Sequence, residues 1–225
     1  MLTAPRLPQM NKAQEIAKIL LDIGAVKVSM DPPFTWTSGI KSPVYCDNRK
    51  LISHPKERQA VVKAFADLVR EKKLDPEYIG GTATAAIPWA AFLAYELNLP
   101  MVYIRPEKKE HGAGRQVEGD LPPGKRVLIV EDLISTGGSS VNAAKAVQQE
   151  CQGVVTDVLA IVTYELDEAQ QKFQESGLHI STLTNFSNII GLALERGNIT
   201  QEQWGKILEF RKNPRSWFSV FGLES

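Results

Sequence analysis

A chain of 225 residues, 43% of them hydrophobic, is long enough to bury a full core and fits one α/β domain with a small addition better than two domains. Its 26 basic and 26 acidic residues cancel, which excludes the broad positive footprint of a nucleic-acid binder and leaves any anion site to be local. Cys46 and Cys151 lie far apart without metal-ligand spacing, and no apolar run reaches the length of a membrane span or a signal-peptide core, so the expectation is a soluble cytoplasmic protein with structural thiols and no membrane partner.

Ile16, Ile19, Leu20 and Ile23 share one helical face that ends at Gly24, predicting a first helix over residues 11–23. Residues 26–28, 32–33, 34–36 and 43–45 read as short strands between turns, with Ser38 and Gly39 at a tight corner; residues of about 10–50 are expected to contribute a small amino-terminal cap. A second helix starts at Ser53 and Pro55 and carries an apolar stripe through Val61, Val62, Phe65, Leu68 and Val69. From Tyr78 the order becomes strand (78–80), glycine turn (80–84), Ala-rich helix through Leu97, and strand (101–104). It repeats with a strand over 127–130, a helix after Ser140 and an apolar strand over 154–162.

Such alternation predicts an α/β fold, a central mainly parallel sheet flanked by helices, with ligands beyond the carboxyl ends of the strands. The turn at 80–84 ends on that side and either offers N–H groups to a second anion or serves tight helix–sheet packing. A helix near 166–175, a strand over 179–183 and two helical segments follow, the second opened by the capping-box pair Thr200 and Gln203 and stopped by Pro214. No repeat or linker divides the chain, so residues 1–225 are expected to be a single domain.

The run Val130-Glu131-Asp132-Leu133-Ile134-Ser135-Thr136-Gly137-Gly138-Ser139-Ser140 carries the most chemistry. It leaves the 127–130 strand and enters a helix whose Val141, Ala144, Val147 and Cys151 recur at helical spacing. Backbone N–H groups of a Ser/Thr/Gly turn, added to a helix dipole, favour a phosphate dianion without any lysine, and Gly137 and Gly138 allow its close approach. Carboxylates repel phosphate, so Glu131 and Asp132 point instead to neighbouring sugar hydroxyls, for which they are acceptors. A ribose 5-phosphate satisfies both halves. Neither a Walker loop nor a dinucleotide fingerprint occurs. Before this run, residues 105–119 form a glycine-rich connector crowded with charge, suited to closing over a pyrophosphate and neutralising it.

Three motifs in order, Phe34 to Arg49, Tyr103 to Gly112 and Val130 to Ser140, together resemble the orotate phosphoribosyltransferases of the type I phosphoribosyltransferase fold, over nearly the whole chain. The resemblance implies magnesium-dependent transfer of phosphoribosyl from 5-phosphoribosyl 1-pyrophosphate to orotate in pyrimidine synthesis, by a homodimer whose loop 105–119 reaches the partner's site. It implies that Arg105, Lys109 and His111 meet pyrophosphate, with Lys109 and Asp132 as the catalytic pair. Glu131 and Asp132 would take the ribose, residues Leu133, Ile134, Ser135, Thr136, Gly137, Gly138 and Ser139 the phosphoribosyl group, and Ser135 additionally orotate.

The chain departs from the family pattern where many members carry cations: Thr37, Ala85 and Pro106 replace lysines, and Tyr164-Glu165 stand where an arginine is common. Arg49, Lys41 or backbone donors at the Ser38-Gly39 corner are the candidate replacements for holding orotate's carboxylate. Two rival readings stay open: a phosphoribosyltransferase for another base, and a non-catalytic regulator that senses phosphoribosyl pyrophosphate. The second fits poorly with zero net charge and with Lys109 in a closing loop.

Overall fold

The structure, a computed structural model, describes residues 10–36, 38–107 and 114–220. Its first helix, α1 (Lys12–Asp22), opens with a reciprocal capping box between Asn11 and Gln14 and buries Ile16, Ala17 and Leu20. Four short strands follow, β1 (Val26–Val28), β2 (Phe34–Thr35), β3 (Lys41–Ser42) and β4 (Val44–Cys46). They form two antiparallel pairs, β1 with β4 and β2 with β3. Pro32 and Pro33, expected as strand, lie in the loop before β2, where a ring nitrogen has no hydrogen to give a ladder. A 3-10 turn, Asn48–Ser53, leads into α2 (Pro55–Glu71), which starts on Pro55.

The main body continues as β5 (Tyr78–Thr82), α3 (Ile87–Leu97), β6 (Met101–Ile104), β7 (Val117–Glu118), β8 (Val127–Ile134), α4 (Gly138–Cys151) and β9 (Asp157–Thr163). It closes with α5 (Asp167–Ser176), β10 (His179–Asn185), α6 (Phe186–Glu195), α7 (Gln201–Lys212) and α8 (Trp217–Val220). The six-stranded sheet runs β10-β9-β8-β5-β6-β7, parallel except for β7 at the edge. From β5 the chain moves outward to β6 on one side and returns to β8 on the other, so the strand order reverses between β5 and β8. In sheets of this kind that reversal opens a crevice at the strand carboxyl ends.

Both faces of the sheet are covered, and the strand period of two sorts its side chains between them. Leu128, Val130, Leu159 and Ile161 join the core shared with α1, α2, α3 and α6, while Val127, Ile129, Val158 and Ala160 join the one beneath α4 and α5. Helix α1 packs on α6, β10 and α2, so it belongs to the main body, and the cap itself is the stretch of short strands from β1 to β4.

The larger differences from the sequence expectation lie in β5, β8 and β9. β5 runs through Gly80 and Gly81 to Thr82 instead of turning at the glycines, because α3 packs so close that a Cβ on Gly81 would sit 2.7 Å from Ala90 Cβ. β8 continues past Val130 to Ile134, since β9 pairs with it up to Ile134↔Thr163 after β5 has ended, and this puts Glu131 and Asp132 inside a strand. β9 begins at Asp157, with Val154 held only by an isolated bridge to Arg126. Pro214 ends α7 as expected, but the four-residue α8 follows and buries Trp217. Cys46 and Cys151 are free thiols, and no described helix is long and apolar enough to cross a membrane.

Candidate active site

The reversal between β5 and β8 is bridged by one buried carboxylate. Glu131, 4% exposed, accepts from Thr82 Oγ1 at the end of β5 through one oxygen, and from Ser139 Oγ at 2.7 Å and Ser140 Oγ at 3.1 Å through the other. Burial pushes its pKa up to about 7, with the three hydroxyls pulling the other way. Glu131, expected together with Asp132 to meet ribose, ties the end of β5 to the first turn of α4. The acid left open to a ligand is Asp132, partly exposed next to it. Its pKa is pushed up to about 6 by desolvation, while the backbone N–H groups of Asp132 and Leu133 and the Arg49 guanidinium favour the charged form.

Beyond β8 the chain turns through Ser135 and Thr136 into α4, whose N-cap is Gly137 at φ 76° and which no side chain caps. A Cβ on Gly137 would come within 2.9 Å of the Phe173 ring, and the left-handed φ already demands glycine. At Gly138 a Cβ would meet nothing within 4 Å, so open space lies in front of the first-turn N–H groups. Those uncapped N–H groups form a candidate cradle for an anion. Of the expected cradle residues, Ile134 is 1% exposed with its side chain in the core, and its carbonyl accepts from the N–H of Tyr164 at 2.9 Å.

Next to this cradle lies a pocket of about 160 Å³ walled by Trp36, Ser38, Tyr45, Cys46, Leu133, Ser135 and Tyr164. Ser135 lines this pocket and also lies in the turn that leads into α4. Trp36 and Tyr164 stack with ring centroids 4.3 Å apart, and an aromatic chain from Trp36 and Tyr164 through Phe186 and Phe210 to Trp217 backs the wall. The Tyr164 hydroxyl accepts from the Cys46 N–H at 3.1 Å, joining the end of β9 to β4 of the cap. The C-terminal helices, read from sequence as packing, therefore shape the pocket.

No lysine or arginine lines it among the described residues. Arg49 stands at its rim, its Nη2 donating to the Tyr45 hydroxyl at 2.9 Å and its Nε to Asp47 Oδ1 at 2.7 Å. Lys41 is exposed and donates to Thr35 Oγ1 at 2.7 Å, away from the pocket walls. Arg105, at the end of β6, pairs with Glu118 at 3.8 Å, and its carbonyl accepts from the Gln116 side chain at 3.1 Å. Lys109, His111 and Thr37 lie outside the described residues. Trp36, Tyr45, Cys46, Thr82 and Tyr164 are not among the site residues expected from sequence; the signals are the aromatic content of the motif from Phe34 to Arg49 and, for Tyr164, its place where an arginine is common.

A family model described as "Phosphoribosyl transferase domain" matches residues 48–172, which contain the acids, the cradle and α4. Over 208 residues the chain is 47% identical to an orotate phosphoribosyltransferase of Lactococcus lactis, covering 92% of this chain and 99% of that relative. The chain belongs to the orotate phosphoribosyltransferases. Among solved structures, the orotate phosphoribosyltransferase of Aeropyrum pernix superimposes with a TM-score of 0.71 at 29% identity, covering 82% of this chain and 99% of that one. UMP synthase of Leishmania donovani superimposes with a TM-score of 0.76 at 28% identity; this chain spans 42% of its length. The orotate phosphoribosyltransferase assignment makes the protein a pentosyltransferase of pyrimidine biosynthesis with the type I phosphoribosyltransferase fold.

Proposed function

We infer that this chain transfers the phosphoribosyl group of 5-phosphoribosyl 1-pyrophosphate to orotate, giving orotidine 5′-monophosphate and pyrophosphate. The observation that carries the reading is one continuous surface: the uncapped start of α4, then Asp132, then an uncharged aromatic-walled pocket, with Ser135 common to the phosphate and base ends. The 5-phosphate lies on the N–H groups of residues 137–139, and Asp132 accepts from the ribose hydroxyls. As the bond between C1 and the pyrophosphate oxygen breaks and the bond from C1 to N1 of orotate forms, positive charge grows on the ribose and negative charge on the departing pyrophosphate. A carboxylate beside the ring and cations on the leaving group both lower that barrier. Arg105, Lys109 and His111 are the proposed cations, with loop 105–119 reaching the partner's site in a homodimer.

Magnesium fits the donor set. Bound near Asp132, the ion would be held mostly by substrate oxygens and water, because it takes oxygen ligands and dehydrates reluctantly. When bound, it neutralises pyrophosphate charge. Arg49, already oriented by Asp47 and Tyr45, is the proposed partner of orotate's carboxylate in preference to Lys41. Free thiols at Cys46 and Cys151 suit a cytoplasmic location.

The test is direct. Purified protein, orotate, phosphoribosyl pyrophosphate and magnesium are mixed, and loss of orotate's ultraviolet absorbance is followed with product identification by mass. Orotidine monophosphate formation that stops with a chelator supports the reading; binding of phosphoribosyl pyrophosphate without turnover of orotate overturns it.

A further inference from the structure

Asn48 is a polar side chain buried to 1% exposure at the start of the 3-10 turn, behind the pocket wall and not itself lining the pocket. Its Nδ2 donates to the backbone carbonyl of Asp132 at 2.7 Å, across 84 residues of sequence. Its Oδ1 accepts from the Cys46 thiol at 3.2 Å. The amide orientation is fixed by chemistry, because a carbonyl can only accept and the thiol supplies a donor.

The location explains the need. β5 pairs with β8 only as far as Gly81↔Val130 and ends at Thr82, so β8 runs on past Val130 without a strand on that side. A carbonyl left there in a buried setting needs a donor. Asn48 supplies it in place of the missing strand.

We propose that Asn48 is a positioning residue for the reaction: by holding the Asp132 peptide it aims the Asp132 carboxylate at the ribose, and through Cys46 it couples that aim to the wall of the base pocket. The proposal rests on the transferase reading above. The connection is continuous, because Cys46 lines the pocket and its N–H donates to the Tyr164 hydroxyl, which lines it too. Asp132 is also faced by Asp47 and Arg49 from the turn after β4, by Glu131 beside it, and by Cys46 and Tyr164. Against that background Asn48 is the uncharged member, fixing direction without altering charge.

Asn48→Asp keeps the size of the side chain and its acceptor for Cys46 but removes the Nδ2 donor and adds a negative charge near Asp132. The expected result is a fall of about tenfold or more in kcat/KM for phosphoribosyl pyrophosphate. The acid limb of that parameter should also shift to higher pH, as a second carboxylate disfavours charged Asp132. Asn48→Ser, which keeps polarity without the reach, should lower kcat/KM in the same sense without the pH shift, and it serves if the aspartate variant does not fold.

Titration calorimetry of phosphoribosyl pyrophosphate alone separates this claim from the reading beneath it. Weaker binding in the variants supports positioning whether or not orotate is the acceptor, whereas failure of wild-type protein to convert orotate sinks the transferase reading alone. Kinetics and binding within twofold of wild type in both folded variants would overturn the proposal. So would a lowered melting temperature with kcat/KM unchanged for both substrates.

Discussion

The phosphate end and the base end of the site are built on opposite principles. At the proposed phosphate end, the buried carboxylate is satisfied internally while the helix start is left open: Glu131 collects three hydroxyls, Gly137 fixes the turn, and the N–H groups at the start of α4 have no side-chain cap. At the base end the wall is aromatic and uncharged, and it is held by ring contacts that run back to Trp217 in the last helix. One end is preorganised by hydrogen bonds within neighbouring residues, the other by packing between distant segments. Damage at the first should fall on the phosphoribosyl donor and on the chemical step, and damage at the second on the acceptor.

The largest expected effect separates the two ends most sharply. Asp132→Asn should lower kcat by about 100-fold or more while leaving the melting temperature near wild type, because charge next to the developing cation is lost and packing is not. In wild type, kcat/KM for the donor should fall with decreasing pH below about 6, as protonation removes the Asp132 charge. That limb should be absent from the asparagine variant, whereas the donor's own ionisation appears in both. Profiles of identical shape in the two enzymes would take Asp132 out of the pH dependence.

Trp36→Ala should come next, raising the KM for orotate by roughly 10- to 30-fold through loss of a stacking wall, with the KM for the donor little changed. Equal effects on both substrates would dissolve the distinction between the ends. Arg49→Ala should raise the orotate KM by about fivefold to tenfold, the worth of one charge-assisted hydrogen bond at a partly exposed site, and Lys41→Ala should leave it unchanged. If neither substitution moves it, backbone donors at the Ser38-Gly39 corner hold the carboxylate.

The smallest effect on rate is expected for Glu131→Gln, whose consequence is on stability instead. The native pKa of Glu131 is raised from 4.5 to about 7, so the folded state holds its proton more tightly than the unfolded one. Its contribution is fully present below pH 4.5 and is lost as pH rises through 7. Wild type should therefore lose stability over that window, by an amount on the order of 2–3 kcal/mol, and the glutamine variant should lose less. Urea melts at pH 4.5, 6 and 7.5 read this difference, and parallel curves would contradict it.

What could be read from sequence follows the same division. The phosphate end lies in one contiguous run, so its acids, turn and helix start are visible together, as are the capping boxes at Asn11 and Thr200. The base pocket joins residues from 36 to 46, from 133 to 135 and at 164, and no local pattern announces that the Cys46 N–H meets a hydroxyl 118 residues away. Tyr164 was legible only as the residue standing where an arginine is common. The two neighbouring acids look equivalent in sequence; their different roles follow from β8 running on past the end of β5, which leaves Glu131 facing Thr82 and α4 and Asp132 facing outward. Of the two readings of the glycine pair at 80–81, an anion turn or tight helix–sheet packing, the close approach of α3 to Gly81 agrees with the second, a tertiary constraint that the local turn signal of glycine does not show.

Competition between bases tests the central claim most directly. Orotate, uracil and hypoxanthine would be supplied together in equal amounts with limiting phosphoribosyl pyrophosphate and magnesium, and the nucleotides formed counted by mass. Almost all of the donor should appear as orotidine 5′-monophosphate, since only orotate offers a flat ring for the aromatic wall and a carboxylate for the rim. Predominance of another nucleotide, or donor binding with no nucleotide formed, would contradict the account.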